Sequence, residues 1–213
     1  MDTLAAIPTD PVHTPSDFPL VTLDQEQTDG LRARFPALRD IWPLTPLQEG
    51  FYALTQLSGD DIDVYTVQLV LRLDGALDPA ALRRAAAALL ERNPGLRTAF
   101  VDAGGRPVQI VLDGVEPDWA GTDLRTVPAA GREEAPADAR RRGAAAPLRP
   151  HRAPAPAAAA GAAGGAGARL MVTNHHAILD GWSVPVLLQE LLALYAGEIG
   201  PRRTAARTPP VQG

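Results

Sequence analysis

Between Pro128 and Ala168, 36 of 41 residues are Ala, Gly, Pro or Arg, and Leu148 is the only large aliphatic side chain. A segment so poor in bulky side chains cannot offset its ordering entropy by burial. It is therefore expected to be disordered or loosely helical, although structureless insertions of this length are uncommon inside compact domains. A second reading is coding sequence read out of frame between two compensating frameshifts. All four residues have codons built from G and C in their first two positions, and GC-rich DNA yields them in most frames. The same bias runs through the whole chain, which has no lysine, 20 arginines and 38 alanines. Ordered patterning ends near Arg125 and resumes abruptly at Arg169.

The remaining composition excludes several classes of function. With 213 residues, the chain has room for one large domain or two small ones. A net charge of -5 offers no basic surplus for a nucleic-acid partner. The absence of Cys excludes a disulfide framework, a thiol nucleophile, an iron–sulfur cluster and any Cys-ligated zinc site. The expected compartment is a reducing cytoplasm. Met1–Asp10 has no basic region followed by an apolar run, so no secretory signal is expected. No stretch of about 18 apolar residues is free of charge and Pro, so no membrane partner is expected either.

Residues 1–39 read as a linker, broken by Pro8, Pro11, Pro15 and Pro19, with at most one short helix in LDQEQTDGLRARF. A domain is expected from residue 40 to about 200, with 201–213 as a tail. Thr66–Leu73 has the alternation of a half-buried strand. Asp78 and Pro79 open a helix with Leu82, Ala86, Leu89 and Leu90 inward, stopped by Asn93-Pro94-Gly95. Leu96–Val101 and Pro107–Leu112 flank Ala103-Gly104-Gly105 as a hairpin. Arg169–Asn174 reads as a strand and Val184–Ala196 as an amphipathic helix with Leu187, Leu188, Leu191 and Leu194 inward. The mixture predicts an α/β fold, a mixed sheet covered by helices.

The residues richest in chemistry lie between that last strand and helix: Asn174-His175-His176-Ala177-Ile178-Leu179-Asp180-Gly181-Trp182-Ser183. Adjacent strand residues point to opposite faces, so one of His175 and His176 is expected to be functional and the other structural. The same opposition disfavours a zinc site built from His175, His176 and Asp180. An imidazole is suited to accept a proton near neutral pH, and Asp180 could fix the nearby geometry through an ion pair. Gly181 would let backbone or substrate approach closely.

HHAILDGWS resembles the HHxxxDG signature of the condensation domains of nonribosomal peptide synthetases, within the wider chloramphenicol-acetyltransferase-like superfamily. Trp42–Gly50 (WPLTPLQEG), running into Phe51-Tyr52, is similar to the family's first core motif, and Arg92–Phe100 (RNPGLRTAF) to its second. Thr14–Phe18 (TPSDF) looks like the linker that follows a carrier domain. The resemblance covers about residues 40–197, apart from Pro128–Ala168.

That resemblance implies an acyltransferase whose acceptor amine attacks a donor thioester. Both substrates would be carried on the phosphopantetheine of upstream and downstream peptidyl carrier domains, beside the adenylation domains of a synthetase, with no cofactor of its own. It places the catalytic role on His176, as a base or as a group that positions the amine and stabilises the intermediate. Asp180 is implied as a structural acid paired with Arg92 or Arg97, and Gly181 as a small residue beside the substrate tunnel. Gln48 and Glu49 are expected to be structural. Three departures stand out. Asn93 replaces a common His. Residues 128–168 occupy the place of a helix, a PFDL-like turn and a strand beside the His-His strand. The second of the family's two lobes is missing, so the isolated chain is expected to have negligible activity. The alternatives are a coenzyme A-dependent acyltransferase and a non-catalytic fragment that at most docks carrier proteins.

Overall fold

The computed structural model describes residues 13–58, 65–122, 157–163 and 167–199. Helix α1 (Gln25–Arg34) opens on a reciprocal cap: the Gln27 amide donates to the Asp24 carboxylate at 2.8 Å, and the Asp24 amide donates to the Gln27 side chain at 3.0 Å. Leu31 of this helix, with Phe18 and Leu23 before it, buries against Ile41, Val101, Val108 and Ile110. The segment expected to be linker through residue 39 is thus, from Phe18 onward, part of a core. Phe18, Leu23 and Leu31, with the partly buried Val21 and Phe35, cover one face of a small sheet.

That sheet has the order β1-β4-β3, all antiparallel, from β1 (Leu38–Pro43), β3 (Thr98–Asp102) and β4 (Pro107–Leu112). The β3–β4 hairpin closes on Gly104 and Gly105 at φ +68° and +85°, a region open to glycine at little cost. The strand expected from Leu96 starts later. Pro94–Arg97 forms a 3-10 turn, because Arg97 reaches back to the end of the preceding helix and donates from Nε to the Leu90 carbonyl at 2.8 Å. Between β1 and the next strand runs helix α2 (Pro46–Ser58).

The second sheet has the order β2-β7-β6-β5, with β2 (Thr66–Asp74), β5 (Trp119–Thr122), β6 (Ala157–Ala163) and β7 (Gly167–His175). Strands β2 and β7 pair antiparallel over their whole length, from Thr66↔His175 to Asp74↔Gly167. One face, carrying Leu69, Leu71, Leu73, Leu170 and Val172, is covered by helices α3 (Pro79–Arg92) and α4 (Ser183–Ile199). Helix α3 begins as its sequence predicts, with the Ala80 and Ala81 amides donating to Asp78 and Pro79 in the first turn. Its Ala81, Leu82, Ala85, Leu89 and Leu90 bury against Leu187, Leu191 and Tyr195 of α4. Polar ties fix the pair: the Asp78 amide donates to the Tyr195 hydroxyl at 2.9 Å, and Arg84 meets Glu198 at 2.7 Å.

Strand β6 corrects an expectation. Ala157–Ala163 lies inside the stretch expected to be disordered or loosely helical, yet it pairs antiparallel with β7 along seven residues and parallel with β5. A strand does stand beside the His-His strand. Backbone pairing needs only N–H and C=O groups, which Ala and Gly supply as fully as any residue. Residues 128–156 of that stretch, together with 1–12 and the tail 201–213, lie outside the described residues.

Candidate active site at the His-His turn

Strand β7 ends at His175 and the chain turns at once, the Ile178 and Leu179 amides donating to the His175 carbonyl at 2.9 and 3.2 Å. The His175 ring is 3% exposed and meets Phe51 edge-on at 5.8 Å and Tyr65 at 6.2 Å between centroids. Its Nδ1 accepts from the Ala177 amide at 2.9 Å, which leaves the neutral ring's proton on Nε2. His175 therefore shapes the turn from inside. His176 is exposed, and its amide donates to the Tyr65 carbonyl at 3.0 Å. The last strand position places one imidazole among aromatic rings, and the turn that starts at His176 presents the other to solvent.

A third contact comes from the first motif. Gln48, in the first turn of α2, donates from Nε2 to the Ala177 carbonyl at 2.9 Å and to Gln109 of β4 at 3.2 Å, while its Oε1 accepts from the Thr45 amide at 2.9 Å. Phe51, one turn further along α2, packs with Phe100 and Ala177. The motif at 42–52 thus supplies both the wall behind His175 and a hydrogen bond to the residue after His176.

Asp180 does not meet either expected arginine. Its carboxylate accepts from the Trp182 and Ser183 amides at 3.1 and 2.7 Å, which caps the start of α4. These bonds, with the Ser183 hydroxyl foremost and the nearby His176 least, hold the Asp180 carboxyl below the usual carboxylate range. Arg92 pairs with Glu190 at 3.1 Å. Arg97, with only 10% of its side chain exposed, bonds the Leu90 and Leu112 carbonyls and Asp113. Arg97 thereby locks α3 to β4, and its guanidinium holds the Asp113 carboxyl low. Asn93, the departure from the second motif, donates to both the Leu89 carbonyl and Glu190 and ties α3 to α4. Gly181 is exposed, and a Cβ built there meets nothing within 4 Å, so the chain's own atoms set no need for a glycine.

The turn is open on its outer side. A cleft of about 910 Å³ lies between α3 and the β1–β4 sheet, lined by Trp42, Arg84, Arg97 and Asp113 among others, and by no residue of the turn. Among the described residues, no group of three His, Cys, Asp or Glu side chains is placed to hold a metal ion, and no helix is long and apolar enough to cross a membrane.

Residues 38–208 match the family model described as the condensation domain. The chain is 36% identical over 193 residues to one of the linear gramicidin synthase proteins of Brevibacillus parabrevis, covering 86% of this chain and 4% of the relative. To surfactin synthase subunit 2 of Bacillus subtilis it is 33% identical, covering 78% of this chain and again 4% of the relative. Among solved structures, the starter condensation domain of the rhizomide synthetase RzmA superposes with a TM-score of 0.67 at 20% identity, over 78% of this chain and 42% of that one. The SgcC5 protein of Streptomyces globisporus superposes with a TM-score of 0.61 at 26% identity, over 80% of this chain and 38% of that one. The chain thus spans a small part of the curated relatives and less than half of the solved domains. The fold, the three ordered motifs and the family match agree: this chain belongs to the condensation-domain family of nonribosomal peptide synthetases.

Proposed function

We propose that this chain supplies the histidine-bearing part of a site that joins two carrier-bound acyl groups. The acceptor amine attacks the donor thioester carbonyl, a C–N bond forms, the C–S bond breaks, and the amine proton ends on the departing thiol. His176 is the catalytic residue in this reading. It takes the proton as the bond forms, or it holds the amine in line and stabilises the tetrahedral intermediate. The supporting observation is that its imidazole is exposed on a turn whose backbone is bonded on both flanks, by Tyr65 and Gln48. A fixed backbone beneath an accessible base is what proximity catalysis requires. His175 and Asp180 support it as positioning residues, one from inside the turn and one by capping α4.

The substrates would arrive on the phosphopantetheine arms of upstream and downstream peptidyl carrier domains, loaded by adenylation domains, in a cytoplasmic synthetase. The matched relatives are peptide synthases, which supports these partners. The deciding measurement is dipeptidyl product formed between two loaded carriers by the synthetase bearing this chain. His176→Ala is expected to abolish it, and wild-type turnover in that variant would overturn the reading.

A further inference from the structure

We infer that Gln48 is a positioning residue for His176, acting through the Ala177 carbonyl. This rests on the assignment of His176 above. The side-chain amide of Gln48 is fully used: Oε1 accepts from the Thr45 amide, and Nε2 donates to both the Ala177 carbonyl and Gln109 Oε1. Gln109 is itself 5% exposed, on the middle strand of the small sheet. The contact therefore ties the His-His turn of the large sheet to the centre of the small one.

The other anchors of the backbone around His176 are amide donors: besides the Ile178 and Leu179 amides on the His175 carbonyl, two more hold the turn. The His176 amide is held by Tyr65, and the Ala177 amide by the ring of His175. Without the Gln48 side chain, the Ala177 carbonyl loses its hydrogen bond, and the Ala177–Ile178 peptide, the second after the catalytic residue, is held among the described residues only through the bond from the Ile178 amide to the His175 carbonyl. A tilt of that peptide about its remaining bond is expected to shift the imidazole without unfolding the turn. Catalysis is sensitive to such shifts, a misplacement of about 1 Å lowering rates on the order of 100-fold.

Two roles of Gln48 are separable by chemistry. Glu at this position keeps an oxygen for the Thr45 amide and so keeps the cap of α2, but it cannot donate to Ala177. Met keeps the length and the helix preference and makes neither bond. In the synthetase bearing this chain, with both carriers loaded, Gln48→Glu and Gln48→Met are expected to lower kcat by about 10- to 100-fold with KM within about twofold. Thr45→Ala, which loosens the same cap and leaves the Ala177 contact, is expected to keep kcat within about threefold. Hydrogen exchange supplies a readout without turnover. The Ile178 and Leu179 amides are expected to exchange about 10-fold faster in both Gln48 variants, with those of α3 unchanged.

Wild-type kcat in both Gln48 variants, or an equal loss in Thr45→Ala, would overturn the inference, as would exchange that rises uniformly through the chain. His176→Ala runs beside them. If it retains turnover, the assignment of His176 fails first; if it is inactive while the Gln48 variants match wild type, the positioning role alone fails.

Discussion

His175 and His176 are one peptide apart, yet their rings lie in opposite surroundings. His175 is enclosed by Phe51 and Tyr65 and accepts from the Ala177 amide, whereas His176 faces solvent. His175→Ala removes that acceptor and strands a buried N–H, a loss of about 1–3 kcal/mol that urea unfolding will show. His176→Ala is expected to leave the urea midpoint unchanged, since the bond that holds this residue comes from its backbone. Asp180 gives a pH-dependent counterpart. Its carboxyl titrates below the usual range when folded, so its contribution to stability is fully present above a pH of about 4 and is lost as the pH falls through the lowered value. Thermal melts are expected to show Asp180→Ala losing stability at neutral pH and converging on wild type in acid. Asp180→Asn, which still caps and does not titrate, is expected to stay close to wild type at neutral pH and to keep its contribution where wild type loses it in acid.

Elements carry their own tests. Ala85 is fully buried where α3 faces α4, and Ala85→Leu adds volume to a filled contact, expected to cost about 1–3 kcal/mol in urea unfolding. In the β3–β4 hairpin a Cβ at Gly104 would fall 2.6 Å from the Gln27 side chain, at a φ of +68°. The positions where local signals decide were legible in the sequence. Asp78 and Pro79 start α3, Gly104 and Gly105 turn the hairpin, and alternation marks β2, each within a few residues. Contacts that depend on distant partners were not. Arg97 turns towards Leu112 and Asp113, which only the sheet register brings near, and no local pattern distinguishes that from a bond to Asp180. Strand β6 escaped for a different reason. Alternation is a contrast between large and polar side chains, and Ala and Gly offer none.

At the scale of the whole molecule, the two sheets are joined at the His-His turn, where Gln48 donates to both Gln109 and Ala177 and where Phe51 and Phe100 pack with Ala177. The exposed side of His176 faces no wall built by the described residues, so the 213-residue chain by itself is expected to form no dipeptidyl product from loaded carriers. Detectable product abolished by His176→Ala would contradict this. Gln48 and Ala177 are 129 positions apart along the chain. Any recombination junction falling between them would inherit its histidine turn from one parent and the tether from another. Chimeric synthetases spliced inside this interval are therefore expected to fold and yet turn over slowly, and junctions placed before Thr45 or after Ser183 keep the pair from a single parent.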